Sequence, residues 1–86
     1  MEKFTFTIKD VDGMHARPAG TVIKAASGFK SAITLIHKER KVNLKGGIFG
    51  LLGLGIRCGD EVSLEISGDD EKQAYEAMLK IFEDNL

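Results

Sequence analysis

The chain has no tryptophan, a single cysteine, Cys58, and a single proline, Pro18, in 86 residues. One cysteine excludes an intrachain disulfide and leaves too few ligands for a structural zinc site, which fits a reducing, cytoplasmic setting. A surplus of one charge is missing too. There are 12 Lys and Arg against 13 Asp and Glu, interspersed, for a net charge of -1. That balance gives no footing for nucleic acid or an anionic membrane, so partner recognition must rest on local patches. No apolar run is long enough for a bilayer, and the longest, Gly46 to Gly55, is interrupted by glycine. Met1-Glu2-Lys3-Phe4 begins a strand-like alternation where a signal sequence would have a basic and then an apolar stretch. With 86 residues there is room for one domain, 1–86, able to bury roughly 60 to 65% of its unfolded surface.

Periodicity organises what is present. Phe4, Phe6 and Ile8 alternate with polar residues as a strand with one buried face. Ala19, Val22, Ile23 and Ala26 then follow helical spacing from Ala16 to Ser27, with Gly28 as the C′ residue. Ile33, Leu35 and His37 predict a second strand and Val42 and Leu44 a third. They are joined through Lys38-Glu39-Arg40, which lacks the favoured Asn-Gly or Asp-Gly turn. The run from Gly46 to Gly55 is poor in helix propensity yet apolar, and is read as a short helix. Val62, Leu64 and Ile66 give a fourth strand. Asp69 or Asp70 then caps a last helix with Ala74, Ala77, Met78, Ile81 and Phe82 on one face. The order is βαββαβα. Four strands with one apolar face each are satisfied by an antiparallel sheet with helices packed on that face and the other face wet, a two-layer α+β fold.

Chemistry concentrates in Gly13-Met14-His15-Ala16-Arg17-Pro18. Proline suits the first helical turn, so the helix starts at about Ala16 and His15 falls at or near its N-cap. Unpaired backbone N–H groups and the positive end of the helix dipole gather there, and a guanidinium two residues on can fork onto phosphate oxygens. Imidazole is a nucleophile only when neutral, and a positive helix end disfavours the imidazolium. Once phosphorylated, the ring carries negative charge that the same dipole and Arg17 favour. On local spacing alone, a surface N-cap with a solvated arginine fits equally well. Asp12 reads as a solvated loop acid, with orientation of the imidazole as the alternative. His37, with no acid or thiol at ligand spacing, reads as a partly exposed sheet residue, Cys58 as incidental, and Tyr75 as part of a solvated helix face.

Taken together, the stretch from Gly13 to Ala19, the segment Lys41-Val42-Asn43-Leu44-Lys45, the Gly-rich run ending Leu54-Gly55-Ile56, and Ser67-Gly68-Asp69-Asp70-Glu71 resemble one family along nearly the whole chain. It is that of the histidine-containing phosphocarrier proteins, HPr, of the bacterial sugar phosphotransferase system. The resemblance implies an open-faced β-sandwich, a four-stranded antiparallel sheet covered on one face by three helices. It also implies that His15 accepts a phosphoryl group through Nδ1, that Arg17 and the backbone N–H groups of Ala16 and Arg17 stabilise it, and that no metal or cofactor is required. Enzyme I is then the donor and enzyme IIA domains of sugar permeases are the acceptors. Carried over, Ile48, Phe49 and Leu52 are docking contacts flanked by Gly20 and Lys24, in a monomeric carrier that is not itself a complete enzyme.

One departure stands out. Family members regulated by a dedicated kinase carry a serine directly after the Asn-Leu-Lys segment, whereas here Gly46-Gly47 offers no hydroxyl and adds a residue before Ile48. A second reading is therefore a regulatory paralogue, of a nitrogen branch or acting on transcriptional regulators. A third, an unrelated ligand-binding α+β domain, leaves the coincidence of His15 and Arg17 unexplained.

Overall fold

A computed structural model describes residues 1–86. The strands are β1 (Glu2–Thr7), β2 (Ala32–His37), β3 (Arg40–Asn43) and β4 (Glu61–Ser67), and the helices are α1 (Ala16–Ser27), α2 (Ile48–Leu52) and α3 (Glu71–Asn85). The strands form one antiparallel sheet in the order β1-β4-β2-β3. The expected α+β open-faced sandwich is what forms.

The alternation in each strand decides which face is covered. Phe4 in β1, Ile33 and Leu35 in β2, and Val62, Leu64 and Ile66 in β4 are buried beneath the helices. Ala19, Val22 and Ala26 of α1 and Ala74, Met78 and Phe82 of α3 meet them from above. Full burial of a side chain such as Phe82 contributes roughly 1.5–3 kcal/mol. Its ring takes Phe4 and Phe6 edge-on at centroid separations of 5.7 Å, and Phe4 takes Tyr75 at 5.6 Å. Tyr75 is thus half-buried against the core, its ring packed on Phe4, and not on a solvated face. The wet face carries cross-strand pairs: Thr5 and Ser63 share a hydrogen bond of 3.2 Å, and Lys3 lies 3.7 Å from Glu65.

Local chemistry moves several expected boundaries. Leu44 is not a strand residue. The Asn43 side chain accepts from the Lys45 N–H at 2.8 Å and bends the chain into a 3-10 turn, Leu44–Gly46, which drives Leu44 into the core. The predicted helix from Gly46 to Gly55 shrinks to α2, five residues long, since four glycines between 46 and 53 cannot sustain more. The Lys38-Glu39 turn closes a two-residue hairpin with both residues at positive φ, 48° and 72°. Gly28 ends α1 in a right-handed conformation, so its place there does not depend on a left-handed turn.

Asp70 occupies the N-cap position of α3, but its side chain does not bond to that helix. It accepts instead from the Lys30 N–H at 2.8 Å, the Ser31 N–H at 2.9 Å and the Ser31 hydroxyl at 2.5 Å. The Ser31 hydroxyl and the Lys30 N–H hold the carboxyl at about 2, well below its ordinary 3.8. No helix is long and apolar enough to cross a membrane.

Candidate functional site

Between β1 and α1 the chain is tied down by backbone bonds at both of its ends. The Ile8 N–H donates to the Asp60 carbonyl at 2.9 Å, and the N–H groups of Lys9 and Asp10 both reach the Leu86 carbonyl, at 2.5 and 2.7 Å. A turn closed by Gly13 N–H to the Asp10 carbonyl follows, and Met14, buried, donates to the Ile56 carbonyl at 3.1 Å. Gly13 sits at φ +64°, and a Cβ there would lie 2.5 Å from the Ile56 carbonyl oxygen and 2.8 Å from the Arg57 Cα. The room that Gly13 leaves is therefore taken by the neighbouring backbone, so that Met14 can dock on Ile56.

His15 is the N-cap of α1, extended at φ -90° and ψ -177°, with a side chain that makes no capping bond. Its carbonyl accepts the first helical bond, from Ala19 at 3.0 Å. The N–H groups of Ala16 and Arg17 point out of the helix end without an acceptor, and Pro18 has none to leave unpaired. The imidazole is free to react and is about one-third exposed, at 34%.

His15 and Arg17 share a polar cavity of about 270 Å³ between the start of α1 and the end of α3, closed by Asp10, Thr21, Asp84 and Asn85. Arg17 is exposed and is its one permanent cation. Asp10 places Oδ2 3.9 Å from His15 Nε2, too long for a hydrogen bond. Asp10 and Asp12 both stand beside the ring, their carboxylates and a His15 ring nitrogen lying within 4.8 Å of one another, with Asp12 exposed. The Asp10 side chain is itself oriented by accepting from the Asp12 N–H at 2.8 Å. Asp10, Asp84 and Asn85 had no sequence signal, since two of the three lie some 70 residues from the motif.

The expected docking residues divide. Gly20 lies beside Ile48 where α1 meets α2: a Cβ there would stand in ordinary contact, 3.9 Å from Ile48 Cδ1. Phe49 is 86% exposed, whereas Ile48 and Leu52 are half-buried against the core and Leu51 is the residue of α2 that plugs it. Lys24 is exposed and lines the groove between α1 and α3 together with Phe29 and Ile81.

His37 is not partly exposed. It is 3% exposed, and its Nε2 lies 2.8 Å from Asp60 Oδ2. The hairpin folds its ring under the turn before β4, where a carboxylate 23 residues away in sequence satisfies it. Cys58 is exposed in that same turn, its Sγ 3.6 Å from the Lys9 carbonyl.

Fold and site together define a small α+β sandwich built to present one histidine, with an arginine two residues on, at the N-terminus of its first helix. Residues 2–84 match the family model described as the PTS HPr component phosphorylation site. The phosphocarrier protein HPr of Lysinibacillus sphaericus is 40% identical over 81 residues, spanning 94% of this chain and 91% of that protein. The HPr of Mycoplasma capricolum is 41% identical over 78 residues, spanning 91% and 86%. Among solved structures, an HPr from Thermoanaerobacter tengcongensis superposes with a TM-score of 0.92 at 39% identity, covering 99% of this chain and 94% of that one. The chain belongs to the HPr family of phosphocarrier proteins.

Proposed function

We propose that this chain carries a phosphoryl group on His15 between enzyme I, charged from phosphoenolpyruvate, and enzyme IIA domains of sugar permeases. The observation that supports the reading is that His15 and Arg17 line one polar cavity at a helix end where the N–H groups of Ala16 and Arg17 have no acceptor. In the accepting step the Nδ1 lone pair attacks phosphorus in line. The bond from phosphorus to the donor atom breaks, and its electron pair leaves with the donor. The handover to enzyme IIA is the same displacement with His15 as leaving group. Arg17 and the N–H groups of Ala16 and Arg17 balance charge on the equatorial oxygens, so the chain supplies positioning and electrostatics while each partner supplies the rest.

The docking surface in this reading is the apolar patch of Phe49, Ile48 and Leu52 against Gly20, with Lys24 at its rim and the carrier acting as a monomer. The exposure of Phe49 beside half-buried Ile48 and Leu52 is what supports it. Retention of both His15 and Arg17 supports a working carrier over a purely regulatory role toward transcriptional regulators. The test uses enzyme I, labelled phosphoenolpyruvate and a purified IIA domain. Label should appear on this protein and move to IIA when enzyme I is removed, and label that stays behind would refute the relay.

A further inference from the structure

We propose that His37 and Asp60 are positioning residues for His15, acting through the turn Arg57–Asp60 on which the segment before α1 rests. This proposal rests on the carrier reading of His15.

The connections are continuous from side chain to site. Asp60 Oδ2 accepts from the Arg57 N–H at 3.0 Å and lies 2.8 Å from His37 Nε2, while the Asp60 N–H donates to the Arg57 carbonyl at 3.0 Å. The carboxylate therefore locks the turn and ties it to the end of β2 at the same time. Arg57 N–H, then His37, hold the Asp60 carboxyl below the usual range, so it is ionised near neutral pH. From that turn, Gly59 N–H donates to the Ile8 carbonyl at 2.7 Å and the Asp60 carbonyl accepts from Ile8, fixing where β1 ends. Its other side, the Ile56 carbonyl, receives Met14 N–H at 3.1 Å, with Gly13 packed flat on Ile56 and Arg57. Met14 is the residue before His15. The peptide that aims the imidazole thus stands on a turn whose one side-chain anchor to the sheet is the His37–Asp60 contact.

A buried histidine with a single acidic partner needs a reason in this core, where Ser31 and His37 are the buried polar side chains. Ser31 is explained by Asp70, and His37 by Asp60. Loosening the anchor should leave the Phe49 patch untouched, since that patch belongs to α2 and α1. The expected defect is in transfer within the complex, not in docking.

The experiment compares the full chain with Asp60→Ala, His37→Phe and Asp60→Asn, the last keeping an acceptor oxygen. Two measurements are made: amide hydrogen exchange, and steady-state phosphorylation by enzyme I and phosphoenolpyruvate. In Asp60→Ala and His37→Phe, protection of the Met14 amide should fall roughly tenfold, the scale of one hydrogen bond to a charged group, while Ile33 and Leu35 in β2 hold theirs. The kcat should fall several-fold with KM unchanged, and Asp60→Asn should recover most of it. Should Asp60→Ala fail to fold, His37→Phe decides. Unchanged Met14 protection, or an equal loss in β2 and at Met14, overturns the proposal. An unaltered chain that takes no phosphate overturns the carrier reading instead, and hydrogen exchange still decides the anchor.

Discussion

Arg17 is the one permanent positive charge in the cavity with His15, so its removal isolates what a guanidinium adds to phosphoryl transfer. Hydrogen bonds to charged groups are worth about 1.5–3 kcal/mol, and Arg17→Ala should slow transfer from enzyme I roughly tenfold to hundredfold in rapid-quench kinetics. The side chain is exposed, and the variant should melt with the unaltered chain. At this scale the sequence was readable wherever the partners are neighbours in the chain: His15 at the N-cap, Arg17 and the free N–H groups follow from six consecutive residues. Asp84 and His37–Asp60 were not readable, because each depends on which distant segments the fold brings together, and Asp10 was not because the turn between it and His15 decides what it faces. The demand for glycine at position 13 was not readable either, since it comes from the backbone of Ile56 and Arg57.

Among the elements, the β2–β3 hairpin is where local preference and fold conflict. Lys38 and Glu39 both hold positive φ in a two-residue turn whose favoured residues are Asn and Gly. A left-handed conformation costs a non-glycine residue about 1–2 kcal/mol, partly offset by the greater unfolded-state freedom of glycine. Glu39→Gly should therefore stabilise the protein by roughly 0.5–1 kcal/mol, read as a higher urea midpoint at unchanged slope. The strand periods and the two long helices were plain in the sequence, since apolar spacing marks a buried face regardless of partner. The third strand and α2 were not, because a side-chain bond from Asn43 and a run of glycines set their limits. Phe49, the exposed residue of α2, gives a separate test of docking. Phe49→Glu should change stability by no more than about 0.5 kcal/mol while placing an unpaired charge in the interface. The KM for enzyme I should then rise tenfold or more, as for other central aromatic contacts.

Across the whole molecule, Asp70 joins the start of α3 to the segment entering β2. Its carboxyl is held at about 2 against an ordinary 3.8, so its stabilising contribution is complete above pH 4. That contribution is lost as pH falls toward 2, when the folded state must take up the proton as well. Urea midpoints measured from pH 5 to pH 2 should show the unaltered chain ahead of Asp70→Asn at the upper end, with the gap closing across that window. A gap that is constant with pH would mean that the hydrogen bonds do not depend on the charge.

The central claim is that one histidine, placed by β1, the turn at Ile56–Asp60 and the N-terminus of α1, carries the phosphoryl group. Mass spectrometry of the protein after incubation with enzyme I and phosphoenolpyruvate tests it most directly, run on the unaltered chain and on His15→Ala. The account predicts one acid-labile, alkali-stable phosphate on the unaltered chain, mapped to His15, and none on His15→Ala. A phosphate that persists in His15→Ala, on His37 or elsewhere, would contradict it.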